Sequence, residues 1–187
     1  ICKDLDDYVI HNQHINYHLI DIITPDVNYS VYQFKKDFHH AYNQIITSNK
    51  NAILCGGTGL YIESILLNYN IPNVGPDLKL REKLQEYKLD KLIQILKDLN
   101  KSTYNPEFHI TKRRIIRSIE VVNASKKLIK KSNLKVMIKK PLIIGLKLDR
   151  ATILTRIKDR LEERLKTGMI AEVKELLNNG LSLERLK

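Results

Sequence analysis

Tryptophan is absent, and the chain holds only two cysteines, three phenylalanines and five prolines. Cys2 and Cys55 lie too far apart for metal-ligand spacing and do not make a disulfide framework. Cys55 is expected to be a small buried residue at a strand end. No apolar run approaches the ~20 residues of a membrane-spanning helix. No secretory leader pattern is present either, so the expectation is a cytoplasmic chain with no membrane partner. His14 with His18, and His39 with His40, lack a third ligand at metal spacing, and no metal site is assigned to them. Internal repeats and low-complexity segments are missing too.

What is present is basic charge. Lys and Arg number 32 against 21 Asp and Glu, a net charge of +11. Such a surplus favours an anionic partner: nucleic acid, phosphates or a membrane surface. Enrichment in Lys, Asn and Ile follows from an AT-rich genome as well, so charge alone does not choose. At 187 residues the chain is long enough for a real core, either one domain or one domain with an insertion. It opens on Ile1 rather than Met, which fits a fragment or a processed product.

The organising stretch is Gly56-Gly57-Thr58-Gly59-Leu60-Tyr61. Ala52 to Cys55 before it is short and apolar, as a buried strand is. Thr58 is placed to cap a helix striped by Leu60, Ile62, Ile65 and Leu66. Strand, glycine turn and helix N-terminus make an anion site, although a plain strand-to-helix connection uses the same residues.

Other elements read from the same rules. Residues 1 to 13 form a surface loop. Leu19 to Ile23 is a short strand closed by Thr24-Pro25-Asp26. Ser30 caps a helix with Phe34, Phe38, Ala41, Tyr42 and Ile45 on one face. A linker with Pro72, Gly75 and Pro76 leads to amphipathic segments at Leu78 to Tyr87 and Leu89 to Leu99, then to a helix capped by Thr111. Ser125 to Lys140 carries seven lysines and no acid. Leu142 to Leu148 is a second buried-strand candidate, followed by a helix capped by Asp149 and ended by Gly168, then a helix from Met169 stopped near Gly180. Strands alternating with helices predict an α/β fold with a parallel sheet. Residues 1–72 and 141–187 would form its core, and 73–140 a helical, basic insertion.

Two arginine groups stand out. Arg113, Arg114 and Arg117 share a helix whose other side carries Ile115, Ile116 and Ile119. Guanidinium groups bind phosphate oxygens bidentately, so the cluster suits RNA, although a solvated basic face has the same composition. Arg156, Arg160 and Arg164 form one stripe at steps of four, able to neutralise charge on a leaving phosphate. An ordinary amphipathic surface helix fits that spacing as well.

The string NAILCGGTGLYIESIL closely resembles a signature of the tRNA dimethylallyltransferases, which prenylate the exocyclic amine of the adenosine 3′ of the anticodon. KRRIIRSIEV resembles that family's Arg-x-x-Arg-x-(Leu/Ile)-Glu-Val segment, and RIKDRLEERLKTGMIAEVKELL its arginine helix with the following Gly-(Met/Leu)-x-x-Glu-Val. His18, Leu19, Ile20, Asp21, Tyr29, Ser30, Val31 and Phe34 match another family block. The resemblance implies a P-loop-NTPase-like parallel sheet, here incomplete, with the helical insertion. It implies tRNA contact by Thr58, Tyr61, Arg81, Arg113, Arg114 and Arg117, a loop role near the diphosphate for Gly56 and Gly57, and a catalytic role at the diphosphate for Arg156 and Arg160. The implied partners are the tRNA anticodon stem-loop and dimethylallyl diphosphate, bound by a monomer, with Mg²⁺ on the diphosphate through ligands not in this chain. The family's GxxxxGK[ST] loop and Asp-Ser-x-Gln segment do not occur in the 187 residues. The chain by itself is therefore expected to be inactive. A transferase acting on free AMP, ADP or ATP, and a basic RNA-binding module without chemistry, are the rival readings.

Overall fold

The computed structural model describes residues 8–127, 138 and 140–186. Most of the lysine-rich stretch from Ser125 to Lys140, and Cys2, lie outside the described residues. The chain divides into two compact units, Ile1–Ile62 with Val136–Lys187, and Glu63–Lys135.

The first unit opens with a hairpin where the sequence predicts a loop. Strands β1 (Val9–Ile10) and β2 (Gln13–His14) pair antiparallel, Val9 opposite His14. His11 and Asn12 both take positive φ, 49° and 60°, as the two central residues of a type I′ turn do. Leu19 to Ile23 is not a strand. Leu19 and Asp21 have φ of 62° and 53°, and left-handed backbone cannot continue an extended ladder.

Helix α1 (Val31–Thr47) follows the expected pattern. Ser30 caps it through a reciprocal box: its hydroxyl accepts the Gln33 amide at 3.3 Å, and the Gln33 side chain accepts the Ser30 amide at 2.8 Å. Phe34, Phe38 and Ala41, at steps of four and three, are its buried apolar face. Asp149 likewise starts α6 (Arg150–Lys166), accepting the Thr152 amide at 2.9 Å. Gly168, at φ 108°, separates α6 from α7 (Met169–Asn178), a conformation glycine takes without a Cβ penalty. A short helix, α8 (Leu183–Leu186), closes the described chain.

The segments 52–55 and 142–148 join no strand ladder, and no parallel sheet exists among the described residues. The expected burial is reversed: Ile53 is 91% exposed and Leu146 94%. A buried parallel strand owes its stability to neighbours on both edges and helices on both faces, and among the described residues these two segments have no paired neighbour. Cys55 is an exposed free thiol for the same reason, not a buried one.

The second unit holds the end of α2 (Gly59–Leu66), then α3 (Leu78–Gln85), α4 (Leu89–Leu99), a 3₁₀ turn (Lys101–Thr103) and α5 (Lys112–Lys127). Leu84, Leu92, Leu96, Ile115, Ile116, Ile119 and Val122 make its core. Each fully buried Leu or Ile contributes about 1.5–3 kcal/mol of apolar burial. That core fixes which side of α5 faces inward, and hence where its arginines lie.

Candidate nucleic-acid interface

Helix α5 begins where Thr111 meets the Arg114 amide, its Oγ1 3.4 Å away. With Ile115, Ile116 and Ile119 buried in the core, the basic residues fall on its remaining surface and divide by environment.

Arg117 is turned to structural use. Its Nη2 donates to the Val74 carbonyl at 2.7 Å and its Nη1 to Glu120 Oε2 at 3.1 Å. Glu120 is the centre of this arrangement, its side chain wholly shielded from solvent. Oε1 accepts Arg81 Nε at 2.6 Å and the Asp77 amide at 2.9 Å, and Oε2 accepts Arg81 Nη2 at 2.9 Å as well as Arg117. Four donors thus occupy the four lone-pair directions of one carboxylate. Burial alone pushes the Glu120 carboxyl up, but the bonds from Arg81, the Asp77 amide and Arg117 outweigh it and hold it below its ordinary value. The same contact holds the Arg81 guanidinium above its ordinary value. Lys112 ties the start of α5 to the end of α3, its Nζ 3.1 Å from the Gln85 carbonyl.

Arg114 and Arg113 face water. Arg114 lies over the Phe108 ring, 5.1 Å from its centroid, and donates to the Phe108 carbonyl at 3.2 Å. Arg113 is exposed, and its side chain has no hydrogen bond or ion pair among the described residues. The three arginines read from spacing as one cluster therefore divide: Arg117 is a clamp on Glu120, Arg114 a stacked cation, and Arg113 a cation without a side-chain partner among the described residues, while Arg81 of α3 is the second clamp. Sequence reasoning missed Glu120. The signal was an isolated acid three residues after Arg117 on an otherwise basic helix.

In the first unit, the Thr58 carbonyl accepts the amides of Tyr61 and Ile62 at 3.0 and 3.3 Å, so Thr58 stands at the start of α2, exposed. Tyr61 stacks on Phe34 at 4.5 Å, and its hydroxyl donates to the Tyr29 carbonyl at 3.4 Å. The Tyr29 phenol, pushed up first by burial and then by Asp37, donates to Asp37 Oδ2 at 2.7 Å. Gly56 and Gly57 are exposed, and a Cβ at Gly57 would meet nothing within 4 Å, so the fold itself sets no steric demand for glycine there. Arg156 and Arg160 project from α6 exposed, one turn apart, with no partner among the described residues; Arg164 is half-buried. Among those residues no three His, Cys, Asp or Glu side chains converge as a metal site. No helix there is long and apolar enough to cross a membrane.

A family described as IPP transferase matches residues 9–187. The chain belongs to the IPP transferase family. It is 42% identical over 184 residues to tRNA dimethylallyltransferase 1 of Azobacteroides pseudotrichonymphae, and 41% identical over 184 residues to tRNA dimethylallyltransferase 2 of Phocaeicola vulgatus. Those alignments take in 98% of this chain but 60% and 59% of the relatives, so the chain spans about three-fifths of their length. The crystal structure of the full-length tRNA isopentenylpyrophosphate transferase from Bacillus halodurans is 27% identical, with a TM-score of 0.49, over 89% of this chain and 53% of that one.

Proposed function

We propose that this chain is part of a tRNA dimethylallyltransferase and supplies its tRNA-contacting surface and the arginines that face the diphosphate. The observation that carries this reading is the ordered series GGTGLY, KRRIIR and RIKDR, set in a chain that aligns over 98% of its length with proteins named for that activity. In the reaction the exocyclic amine of the adenosine attacks the allylic carbon of dimethylallyl diphosphate. The carbon–oxygen bond to diphosphate breaks, and the amine loses a proton. Arg156 and Arg160, exposed and without partners among the described residues, are suited to neutralise charge developing on the departing diphosphate. Thr58 and Tyr61 would lie near the acceptor base, flipped from its loop, and Gly56 and Gly57 near the diphosphate. Arg113 and Arg114 would meet phosphates directly. Arg81 and Arg117, about two-fifths exposed, would meet them while clamped to Glu120.

Residues 1–72 and 141–187 would form part of a P-loop-like catalytic core, and 73–140 a tRNA-binding insertion. The apolar segments 52–55 and 142–148 would be strands of a parallel sheet whose remaining strands lie outside this chain. Magnesium would accompany the diphosphate, but the described residues do not form a carboxylate site for it, and no step here depends on it. The protein would act in the cytoplasm, as a monomer.

The test is binding of unmodified tRNA to the chain across a salt series, with ATP as competitor. The reading predicts a linear fall of log K with log salt and no displacement by ATP. Absence of tRNA binding, or its displacement by ATP, would contradict it and favour a free nucleotide as acceptor.

A further inference from the structure

The loop between the 3₁₀ turn and α5 is built from internal bonds. Asn105 Oδ1 accepts the Glu107 and Phe108 amides at 2.9 and 3.4 Å, and the His109 amide donates to the Asn105 carbonyl at 2.8 Å. The His109 ring is buried, with Nε2 2.8 Å from Ser118 Oγ, which ties the loop to α5. Tyr104 stacks on that ring at 5.6 Å, and Lys97 Nζ lies 4.6 Å over Tyr104. On this fixed frame Phe108 is left 51% exposed, beneath the Arg114 guanidinium, with the free Arg113 next along the helix.

An aromatic ring capped by a guanidinium, next to an exposed arginine with no side-chain partner among the described residues, matches one ligand chemistry. Every unpaired base offers a π-face, and its own backbone brings a phosphate within reach. Paired bases in a duplex hide those faces. A protein partner would need an apolar patch of hundreds of Å², whereas the exposed Phe108 ring lies under the Arg114 guanidinium, with Arg113 and Lys112 preceding it on α5. We propose that Phe108 and Arg114 form a stacking platform for one unpaired base of an RNA loop, with Arg113 taking a neighbouring phosphate. This rests on the RNA-binding reading above and adds a base contact to it.

The probe is an RNA hairpin with 2-aminopurine replacing single loop bases in turn, titrated with the full chain. Phe108→Ala should weaken binding about tenfold and abolish the fluorescence change at one loop position, with the salt slope unchanged. Phe108→Tyr should keep both. Arg113→Ala should instead reduce the salt slope by about 0.7–1 and keep the fluorescence change. Far-UV circular dichroism and the melting temperature establish that each variant is folded. If folded Phe108→Ala binds and reports like the parent while Arg113→Ala weakens binding, the platform is wrong and RNA binding stands. If the parent chain does not bind the hairpin at all, both readings fall together.

Discussion

The Arg81 guanidinium forks onto the Glu120 carboxylate, Nε 2.6 Å from Oε1 and Nη2 2.9 Å from Oε2, joining α3 to α5 across 39 positions of sequence. Arg117 and the Asp77 amide complete the carboxylate's shell. Glu120→Gln keeps the volume but removes the charge that two guanidinium groups face. Breaking a buried ion pair costs about 3–5 kcal/mol. Arg81 and Arg117 reach solvent at 40% and 37% exposure, which lowers the expected loss to about 2 kcal/mol. The midpoint of urea unfolding, at unchanged m, measures it.

The same carboxylate predicts an acid limb. Its folded-state pKa lies below the ordinary 4.5, so the unfolded chain takes up a proton first as pH falls. The stabilisation is complete above about pH 5 and drains away as pH drops through 4.5 towards the depressed folded value. Unfolding free energy measured from pH 6 to 3 should fall less steeply in Glu120→Gln than in the parent.

Arg117 and Arg113 are separable by stability. Arg117→Ala removes donors from the Val74 carbonyl and Glu120, and should cost about 1–2 kcal/mol after allowance for exposure. Arg113→Ala touches no described partner and should stay within about 0.5 kcal/mol. Thermal denaturation of the two variants side by side checks the contrast.

Gly168→Ala should destabilise the α6–α7 junction by about 1–2 kcal/mol, because φ of 108° carries a Cβ penalty although the space around it is open. Gly57→Ala, with open space and no positive φ, should leave stability unchanged to within about 0.5 kcal/mol. Melting temperatures of the two variants test both statements.

Helices were legible in this sequence because their causes are local. The Ser30 and Asp149 caps, the Phe34–Phe38–Ala41 stripe and the Gly168 break all act within a few residues. The hairpin at Val9–His14 was missed because its turn is carried by His11 and Asn12, without the glycine that usually marks one. The strand readings at 52–55 and 142–148 rested on composition, and pairing depends on neighbours that composition does not supply. At the site, spacing placed the α5 arginines on one helix and identified the inward isoleucines. It could not assign Arg81 and Arg117 to Glu120, whose contact with Arg81 joins residues 39 apart. Nor did it single out Phe108, whose meaning depends on Arg114 lying over the ring.

The most direct measurement is prenyl transfer by a chimera in which residues 9–187 replace the matching segment of the Phocaeicola vulgatus relative, which supplies the length this chain does not span. Unmodified tRNA and dimethylallyl diphosphate are the substrates, and nucleoside mass spectrometry is the readout. The account predicts a dimethylallyl increment on one adenosine of the anticodon loop, loss of it in Arg156→Ala/Arg160→Ala with tRNA binding retained, and none from the 187-residue chain alone. A folded chimera that binds tRNA without modifying it, or the double variant transferring at the parent rate, would contradict the account.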